Sequence, residues 1–178
     1  MNFYIFRHGE TFFTKHDLPY YENLAKTADI LPEARAPITK MAKYLKKIPT
    51  DANFTSPYRR CIQTTKIIEK ITGKRFKREK NLRDFYSESF NKMLKRISNF
   101  LKKINNQKYQ SVAICSHGFP IAILTSLITK GKFTLKELNS YPKPGVLICI
   151  ENGKIRKINF NLEEKPKIGK HQKIKNQK

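Results

Sequence analysis

The order of apolar and polar segments in this sequence predicts an α/β domain, a three-layer α/β/α sandwich with a mainly parallel β-sheet. Two observations lead to this prediction. Short segments of β-prone apolar residues alternate along the chain with longer segments in which apolar residues recur at helical spacing. The chain has 178 residues, which suits one domain with a sizeable core. We assign this domain to residues 1–164 and a basic tail, which contains no acidic residue, to residues 165–178.

The N-terminal part of the chain contains a predicted strand, a loop and a helix. Residues 2–6 are β-prone and lead directly into a turn. Residues 12–36 have no sustained period and contain two prolines, so we expect a long loop with one helical turn. Pro37 then opens a helix that continues to Ile48, because apolar residues follow it at helical spacing.

The middle of the chain repeats the order of strand and helix. Residues 52–55 form a short predicted strand. Ser56 is then expected to cap a helix that Pro57 begins and Gly73 ends. Residues 75–82 are strongly charged, which allows them at most an edge strand of the sheet.

The C-terminal part of the domain contains the clearest helix and a hairpin. Residues 87–105 place their apolar side chains on one helical face. Residues 111–115 form a buried strand, and a further helix follows it. Residues 145–151 and 154–160 are separated by an Asn-Gly pair, which is typical of a β-hairpin with a tight turn.

The charge balance is the outlier in the composition. There are 37 lysines and arginines against 14 acidic residues, a net charge of +23. Such a charge favours anionic partners, although a general lysine bias would produce it too, so it indicates the sign of a partner and not its identity. Three widely spaced cysteines are expected to be buried free thiols. The sequence also has no signal-peptide pattern and no apolar segment of membrane-spanning length. Together with the free thiols, these features predict a cytoplasmic protein without a membrane partner.

Three polar motifs fall where predicted strands end. Arg-His-Gly at residues 7–9 follows the first strand, residues 56–60 follow the second, and His-Gly at 117–118 follows the strand at 111–115. The carboxyl ends of parallel strands share one edge of a sheet, where ligands bind and helix N-termini attract anions. We therefore expect the three motifs to converge at that edge.

Two histidines and several arginines at one sheet edge suit a phosphoryl group. Guanidinium groups bind its oxygens in pairs. A neighbouring cation lowers the pKa of a histidine, so Arg7 helps to keep His8 neutral, and a neutral imidazole can act as a base, a metal ligand or a nucleophile. One imidazole could attack phosphorus while a second donates to its oxygens, and a nearby carboxylic acid could protonate the departing oxygen.

The sequence resembles the histidine phosphatase superfamily, also called phosphoglycerate mutase-like. The resemblance is carried by Arg-His-Gly-Glu-Thr at 7–11, by Ser-Pro-Tyr-Arg-Arg-Cys-Ile-Gln-Thr-Thr at 56–65 and by Ser-His-Gly at 116–118. Weaker agreement at 37–39, 82–84 and 88–90 extends it over most of the predicted domain. It implies the phosphoglycerate mutase-like variant of the predicted fold.

The resemblance also implies a catalytic role for each matching residue. His8 would be the nucleophile that becomes phosphohistidine. Arg7 and Arg60 would clamp the phosphoryl oxygens, and His117 would stabilise the transition state. The remaining residues that it implies are substrate contacts at Gly9, Thr14, Arg59 and Gly118.

Three of these positions depart from the family pattern or vary within it. Asp84 stands where the family usually has a glutamate general acid, and its carboxyl group reaches about one methylene less far. Glu88 is the alternative acid, and a loop or helix cap is an alternative role for Asp84. Thr14 stands where relatives often have an asparagine that touches phosphate. Arg59 is either solvated or in contact with a distal part of the substrate.

The separation of Asp84 and His117 indicates which reaction is catalysed. Mutases of the resembled family carry a long insertion there that covers the pocket, and this chain lacks it. An open pocket admits water and favours hydrolysis. We therefore predict a phosphatase for phosphomonoesters or phosphoproteins that needs no cofactor or metal and acts on an anionic phosphorylated substrate.

Three alternatives to the phosphatase remain. The first is a catalytically weak relative that binds phosphorylated partners as an adaptor. The second is a basic protein that binds nucleic acid, although no base-stacking motif supports it. A mutase is less favoured. The sequence leaves the physiological substrate, the oligomeric state and the role of the tail open.

Overall fold

The sheet has six strands and is mainly parallel, as predicted. The computed structural model describes residues 1–21 and 23–162, so the predicted domain end at 164 and the tail at 165–178 lie outside the described residues. The strands are β1 (Asn2–Arg7), β2 (Ala52–Thr55), β3 (Lys77–Arg78), β4 (Ser111–Ser116), β5 (Val146–Glu151) and β6 (Lys154–Asn159). Their spatial order is β3-β2-β4-β1-β5-β6. The first four strands in this order are parallel, and β5 and β6 form the predicted antiparallel hairpin.

Helices follow most of the parallel strands. The α-helices are α1 (Phe12–Lys15), α2 (Leu24–Thr27), α3 (Arg35–Lys46), α4 (Arg59–Thr72), α5 (Phe90–Asn105) and α6 (Gly118–Lys130). Single 3₁₀ turns stand at Pro32–Ala34, Lys80–Leu82 and Leu135–Glu137. Gly73 ends α4 in the left-handed conformation, with φ of 75°, which a glycine adopts at little cost.

The alternation of side chains along β1 separates two hydrophobic cores. Phe3 and Ile5 lie on one face with the apolar side chains of α5 and α6. Tyr4 and Phe6 lie on the other face with those of α3 and α4. Because each face of the sheet is covered by two helices, the predicted three-layer sandwich is confirmed, and β1 is buried at its centre.

Two predictions near the N-terminus, the start of a helix and the content of a loop, are wrong. The helix predicted from Pro37 begins at Arg35, because the preceding 3₁₀ turn runs directly into α3. Residues 12–36 contain two short α-helices and a 3₁₀ turn instead of one helical turn.

The predicted start of the helix after β2 is also wrong. Tyr58 is the residue before the first turn of α4 and caps it without a side-chain hydrogen bond, so neither Ser56 nor Pro57 belongs to that helix. The predicted edge strand at 75–82 shrinks to the two residues of β3. In α5, the first helical residue is Phe90, three residues later than predicted.

The cysteines are free and buried, as expected for thiols in apolar segments. Among the described residues, no helix combines the length and the apolar character that crossing a bilayer requires.

Candidate active site

The register of the parallel strands brings the three sequence motifs to one edge of the sheet. Arg7 of β1 pairs with Ser116 of β4, and Thr55 of β2 pairs with Cys115 of β4. The residues that follow these strands, His8, Ser56 and His117, therefore lie side by side at the carboxyl edge of the sheet. The backbone N–H groups of His8 and Ser56 donate to Ser116 O and Cys115 O, over 3.1 and 3.0 Å. The predicted convergence of the motifs is thus observed.

The two histidines of these motifs face each other inside the protein. The ring centroids of His8 and His117 are 5.2 Å apart, and neither side chain is exposed to solvent. The Nδ1 of His8 lies 2.8 Å from the carbonyl oxygen of Gly9, which can only accept a hydrogen bond. This contact places the proton of a neutral His8 on Nδ1 and leaves a lone pair on Nε2.

Arg60 and Asp84 complete the cluster. The terminal nitrogens of Arg60 donate to the carbonyl oxygen of Ala25 over 2.5 Å and to Oδ2 of Asp84 over 2.6 Å. The same Oδ2 lies 3.5 Å from Nδ1 of His117. The ring of Tyr20 covers Arg60, with 4.1 Å between the guanidinium carbon and the ring centroid. Asp84 therefore contacts both Arg60, an arginine expected to bind the phosphoryl group, and His117.

Unpartnered polar atoms concentrate in this cluster. Among the described residues, five buried side-chain nitrogen or oxygen atoms have no hydrogen-bond partner, and four of them belong to the motifs. These four are Arg7 Nε, His8 Nε2, Arg60 Nε and His117 Nδ1. Buried polar atoms normally have partners, because an unsatisfied one costs about 1–3 kcal/mol. This combination suits a tetrahedral oxyanion with an electrophilic centre. The two arginine nitrogens and the His117 ring can bind the oxygens, and the lone pair of His8 Nε2 can approach the central atom.

Both buried histidines are held neutral. Burial, followed by the charges of Arg60 and Arg7, lowers the pKa of His8 well below its usual value. Burial is also the main cause of the lowered pKa of His117, followed by the charge of Arg60 and by His8. The predicted effect of Arg7 on His8 has the right sign, but desolvation is the larger cause.

These shifts predict a loss of stability below pH 6.5. Both histidines stay neutral in the folded protein and accept protons on unfolding below an ordinary pKa of about 6.5. Because the unfolded protein then binds more protons than the folded protein, acid favours unfolding. The free energy of unfolding should therefore decrease by about 1.4 kcal/mol for each histidine per unit that the pH is lowered. Urea titrations between pH 7 and 5 measure this slope.

The matched variants for this experiment are His8→Asn and His16→Asn. His8→Asn should remove about half of the histidine contribution to the slope. His16 is exposed, and its replacement should leave the slope unchanged. Equal slopes for the wild type and His8→Asn would contradict the assignment of a neutral buried His8.

Ser56 belongs to the site, although its sequence predicts a helix cap instead. Its Oγ lies 2.7 Å from Nε2 of His117 and accepts from the backbone N–H of Tyr58 over 3.3 Å. Oγ has a second lone pair, so in this contact either the hydroxyl or Nε2 can be the donor. When the hydroxyl donates, the proton of a neutral His117 lies on Nδ1, the nitrogen that faces Asp84. The position of Ser56 directly after β2, equivalent to that of His8 after β1, is the signal that could have revealed it.

Gly9 and Gly118 line the cleft, and a side chain at either position would crowd its neighbours. A Cβ on Gly9 would stand 2.7 Å from Cδ1 of Ile38 in α3. A Cβ on Gly118 would stand 3.0 Å from the ring of Tyr141. A side chain at either position therefore requires Ile38 or Tyr141 to shift.

Thr14 and Arg59 differ in their relation to the site. Thr14 lines the cleft, but its hydroxyl accepts from the backbone N–H of Thr11 over 2.8 Å as part of the cap of α1. Arg59 forms an ion pair with Asp29 over 2.7 Å, has a side chain that is 59% exposed, and is not among the residues that line the cleft. This geometry favours the solvated alternative for Arg59.

Glu88, the alternative general acid, is occupied by two arginines. Its Oε1 lies 2.5 Å from a terminal nitrogen of Arg96, its Oε2 lies 2.9 Å from Arg83, and its side chain is 6% exposed. It does not line the cleft, whereas Asp84 does. The geometry therefore favours Asp84 as the acid.

A cleft with a volume of about 1210 Å³ borders the site. Arg7, Gly9, Asp84 and Gly118 lie on its wall, whereas the buried His8, Arg60 and His117 do not, and the ring of Tyr20, also on the wall, covers Arg60. The volume exceeds that of most small-molecule sites, which hold roughly 300–1,000 Å³. It can therefore accommodate a substrate much larger than phosphate.

The family of the chain follows from a match along most of its length. The profile described as histidine phosphatase superfamily (branch 1) matches residues 3–87 and 85–143. The chain belongs to this superfamily, as its resemblance indicated. Members of the superfamily are phosphatases or mutases. A comparison with curated protein sequences finds no match.

Solved structures share the fold at low sequence identity. The alpha-ribazole phosphatase from Shigella flexneri has a TM-score of 0.75 and 14% identity over 89% of this chain and 96% of that one. The protein histidine phosphatase SixA complexed with tungstate has a TM-score of 0.67 and 16% identity over 90% and 98%. Phosphoglycerate mutase from Bacillus anthracis str. Sterne has a TM-score of 0.67 and 14% identity over 90% and 94%. These matches confirm the phosphoglycerate mutase-like fold.

Proposed function

We infer that this protein is a phosphomonoester phosphatase that works through a covalent phosphohistidine on His8. One observation carries the inference: four buried, unpartnered polar atoms of Arg7, His8, Arg60 and His117 lie in one cluster. In this role, Arg7 and Arg60 bind the phosphoryl oxygens, and His117 donates to them from Nδ1. The cluster then stabilises the charge that spreads over the equatorial oxygens in the transition state.

The first chemical step transfers the phosphoryl group to His8. The lone pair on Nε2 forms a bond to phosphorus while the bond between phosphorus and the ester oxygen breaks. The departing oxygen takes a proton from the carboxyl group of Asp84, which becomes a carboxylate. Because Nδ1 of His8 is bonded to Gly9 O, the imidazole is already oriented for attack through Nε2.

The second step regenerates the enzyme. Water attacks the phosphorus of phosphohistidine, the bond between phosphorus and Nε2 breaks, and the carboxylate of Asp84 takes a proton from the water. Inorganic phosphate leaves. Hydrolysis is favoured over transfer within the substrate because residues 85–116, between the acid and the second histidine, form only α5, β4 and short connections. No insertion from this segment closes the cleft against water.

A second candidate, an adaptor that binds phosphorylated partners and turns over slowly, is favoured by the contacts of Arg60. Both terminal nitrogens of Arg60 are already bonded, to Ala25 O and to Asp84. A phosphoryl group therefore shares this guanidinium with Ala25 O and Asp84, and only Nε–H and the second N–H of each terminal nitrogen remain for its oxygens. Slow decay of a rapidly formed phosphoenzyme in single-turnover kinetics would favour the adaptor over the phosphatase.

Orthovanadate, a tetrahedral oxyanion, tests the proposed site directly, alongside an assay of phosphomonoester hydrolysis. A ligand that binds only the folded protein at one hundred times its Kd adds about 2.7 kcal/mol of stability, which raises Tm by roughly 5–10 °C for a chain of this size. We expect this shift together with competitive inhibition of hydrolysis. Thermal denaturation followed by circular dichroism measures it.

Two adjacent arginines provide the matched variants for the vanadate experiment. Arg59→Ala should keep the full shift, because Arg59 is exposed and paired with Asp29. Arg60→Ala should lose most of it. A shift of equal size in Arg60→Ala, or none in the wild type, would reject the proposed oxyanion site.

A further inference from the structure

Aromatic side chains line the cleft next to the phosphoryl site. They form two clusters. In the first cluster, the rings of Phe13 and Tyr20 have their centroids 4.7 Å apart. In the second, Phe119 lies between Phe85, at 6.1 Å, and Tyr141, at 5.8 Å. All five residues lie on the wall of the cleft.

Each aromatic cluster contacts one of the two arginines proposed to bind phosphate. The ring of Tyr20 lies 4.1 Å from the guanidinium carbon of Arg60. The ring of Tyr141 lies 5.0 Å from the guanidinium carbon of Arg7. A phosphoryl group held by both arginines therefore has aromatic rings beside it. The group esterified to its departing oxygen has to extend from there into the cleft past these rings.

The second cluster presents apolar surface towards solvent. Phe85 is 39% exposed, although it directly follows the proposed general acid, Asp84. Phe119 directly follows Gly118 and is only partly buried. Aromatic rings beside a polar reaction centre contribute to binding when the ligand offers a ring of its own, through stacked or edge-to-face contacts. A small polyol phosphate would leave this surface in water.

We propose that the substrates of this site are phosphomonoesters whose alcohol part carries an aromatic or heteroaromatic ring within a few bonds of the ester oxygen. This inference rests on the proposed phosphatase function and specifies its substrate class. The reaction is the hydrolysis already described, in which one water yields inorganic phosphate and an alcohol that bears the ring.

Three alkyl phosphates with unactivated leaving groups test the proposal. They are 2-phenylethyl phosphate, 2-cyclohexylethyl phosphate and glycerol 3-phosphate. We expect kcat/KM for the phenyl ester to exceed that for the cyclohexyl ester about threefold to tenfold, the range that corresponds to one aromatic pair beyond its buried area. The glycerol ester should be the poorest substrate. Equal values for the phenyl and cyclohexyl esters, or the highest value for glycerol 3-phosphate, would overturn the proposal.

Substitutions from phenylalanine to leucine separate the ring from apolar bulk. Phe85→Leu and Phe119→Leu should each lower the ratio of kcat/KM for the phenyl and cyclohexyl esters towards one. The matched control is Phe12→Leu, because Phe12 is 54% exposed and does not line the cleft. It should keep the wild-type ratio. A ratio that stays unchanged in both cleft variants would contradict a role of these rings in recognition.

Binding measurements separate this proposal from the proposed function. Calorimetric titration with 2-phenylethylphosphonate and 2-cyclohexylethylphosphonate, which cannot be hydrolysed at the same bond, compares affinities without turnover. The phenyl compound should bind about threefold to tenfold more tightly. If no ester is hydrolysed but this preference is observed, the phosphatase fails and the ligand class stands. If hydrolysis is observed without the preference, the phosphatase stands and the ligand class fails.

Discussion

His8→Ala should lower kcat by about 10⁶-fold, the order found when an enzyme loses its nucleophile. The variant should also lose a phosphate label that is acid-labile and stable to base. The reason is geometric: Nε2 of His8 is the unpartnered lone pair of the cluster, and Nδ1 is held by Gly9 O. Steady-state hydrolysis of p-nitrophenyl phosphate and labelling with radioactive substrate measure the two effects.

The matched control for this experiment is His16→Ala. His16 is exposed, and its ring lies 4.6 Å from that of Phe12, away from the cluster of His8 and His117, so its removal should leave turnover and labelling intact. Retained hydrolysis by a folded His8→Ala variant would reject the covalent mechanism. A label that persists in that variant and disappears in His117→Ala would assign the nucleophile to the second histidine.

Asp84→Asn should lower kcat/KM for an alkyl phosphate by about 10²–10⁴-fold, the usual contribution of a general acid. The effect on p-nitrophenyl phosphate should be much smaller, because p-nitrophenolate leaves without a proton. Asparagine keeps the size of the side chain and an oxygen that can accept from Arg60. The ratio of kcat/KM for the two substrates therefore reports proton donation and not the position of Arg60.

Glu88→Gln is the counterpart that separates the two candidate acids. Glu88 is buried between Arg83 and Arg96, so its change should lower the free energy of unfolding by about 3–5 kcal/mol, as when one partner of a buried ion pair is removed. Its kinetic effect should be the same for alkyl and p-nitrophenyl phosphate. A leaving-group dependence that appears in Glu88→Gln and is absent in Asp84→Asn would move the acid to Glu88. Urea denaturation and the two assays give the required measurements.

The elements that the sequence predicts correctly are those with a long, regular pattern. The helix at Phe90–Asn105 has one continuous apolar face, and the hairpin at 146–159 has an Asn-Gly turn between alternating strands. Such patterns act within a few residues, and here the local preference agrees with the tertiary packing. In the segment that holds the short helices Phe12–Lys15 and Leu24–Thr27, only one helical turn was predicted and its position was not, because four residues carry too little periodicity.

The prediction at Ser56 failed for a reason that lies elsewhere in the chain. A serine before a proline has the local pattern of a helix cap, and that pattern predicted a cap at Ser56. In the structure its hydroxyl lies 2.7 Å from Nε2 of His117, which stands 61 residues later. Local capping propensity contributes about 1 kcal/mol, and a buried hydrogen bond to the second histidine competes with it.

The sequence alone determined the class of fold, the family and the three strand ends at which polar motifs stand. These depend on local periodicity and on residue types that recur at set positions. Only the tertiary structure decided between Asp84 and Glu88 as the neighbour of the histidines, and only it paired the exposed Arg59 with Asp29 outside the cleft. It also showed that burial is the main cause of the lowered pKa values of His8 and His117. The physical reason is that desolvation, ion pairing and hydrogen bonding depend on which distant residues share an enclosed volume, and that is set by strand register and helix packing across the whole sheet.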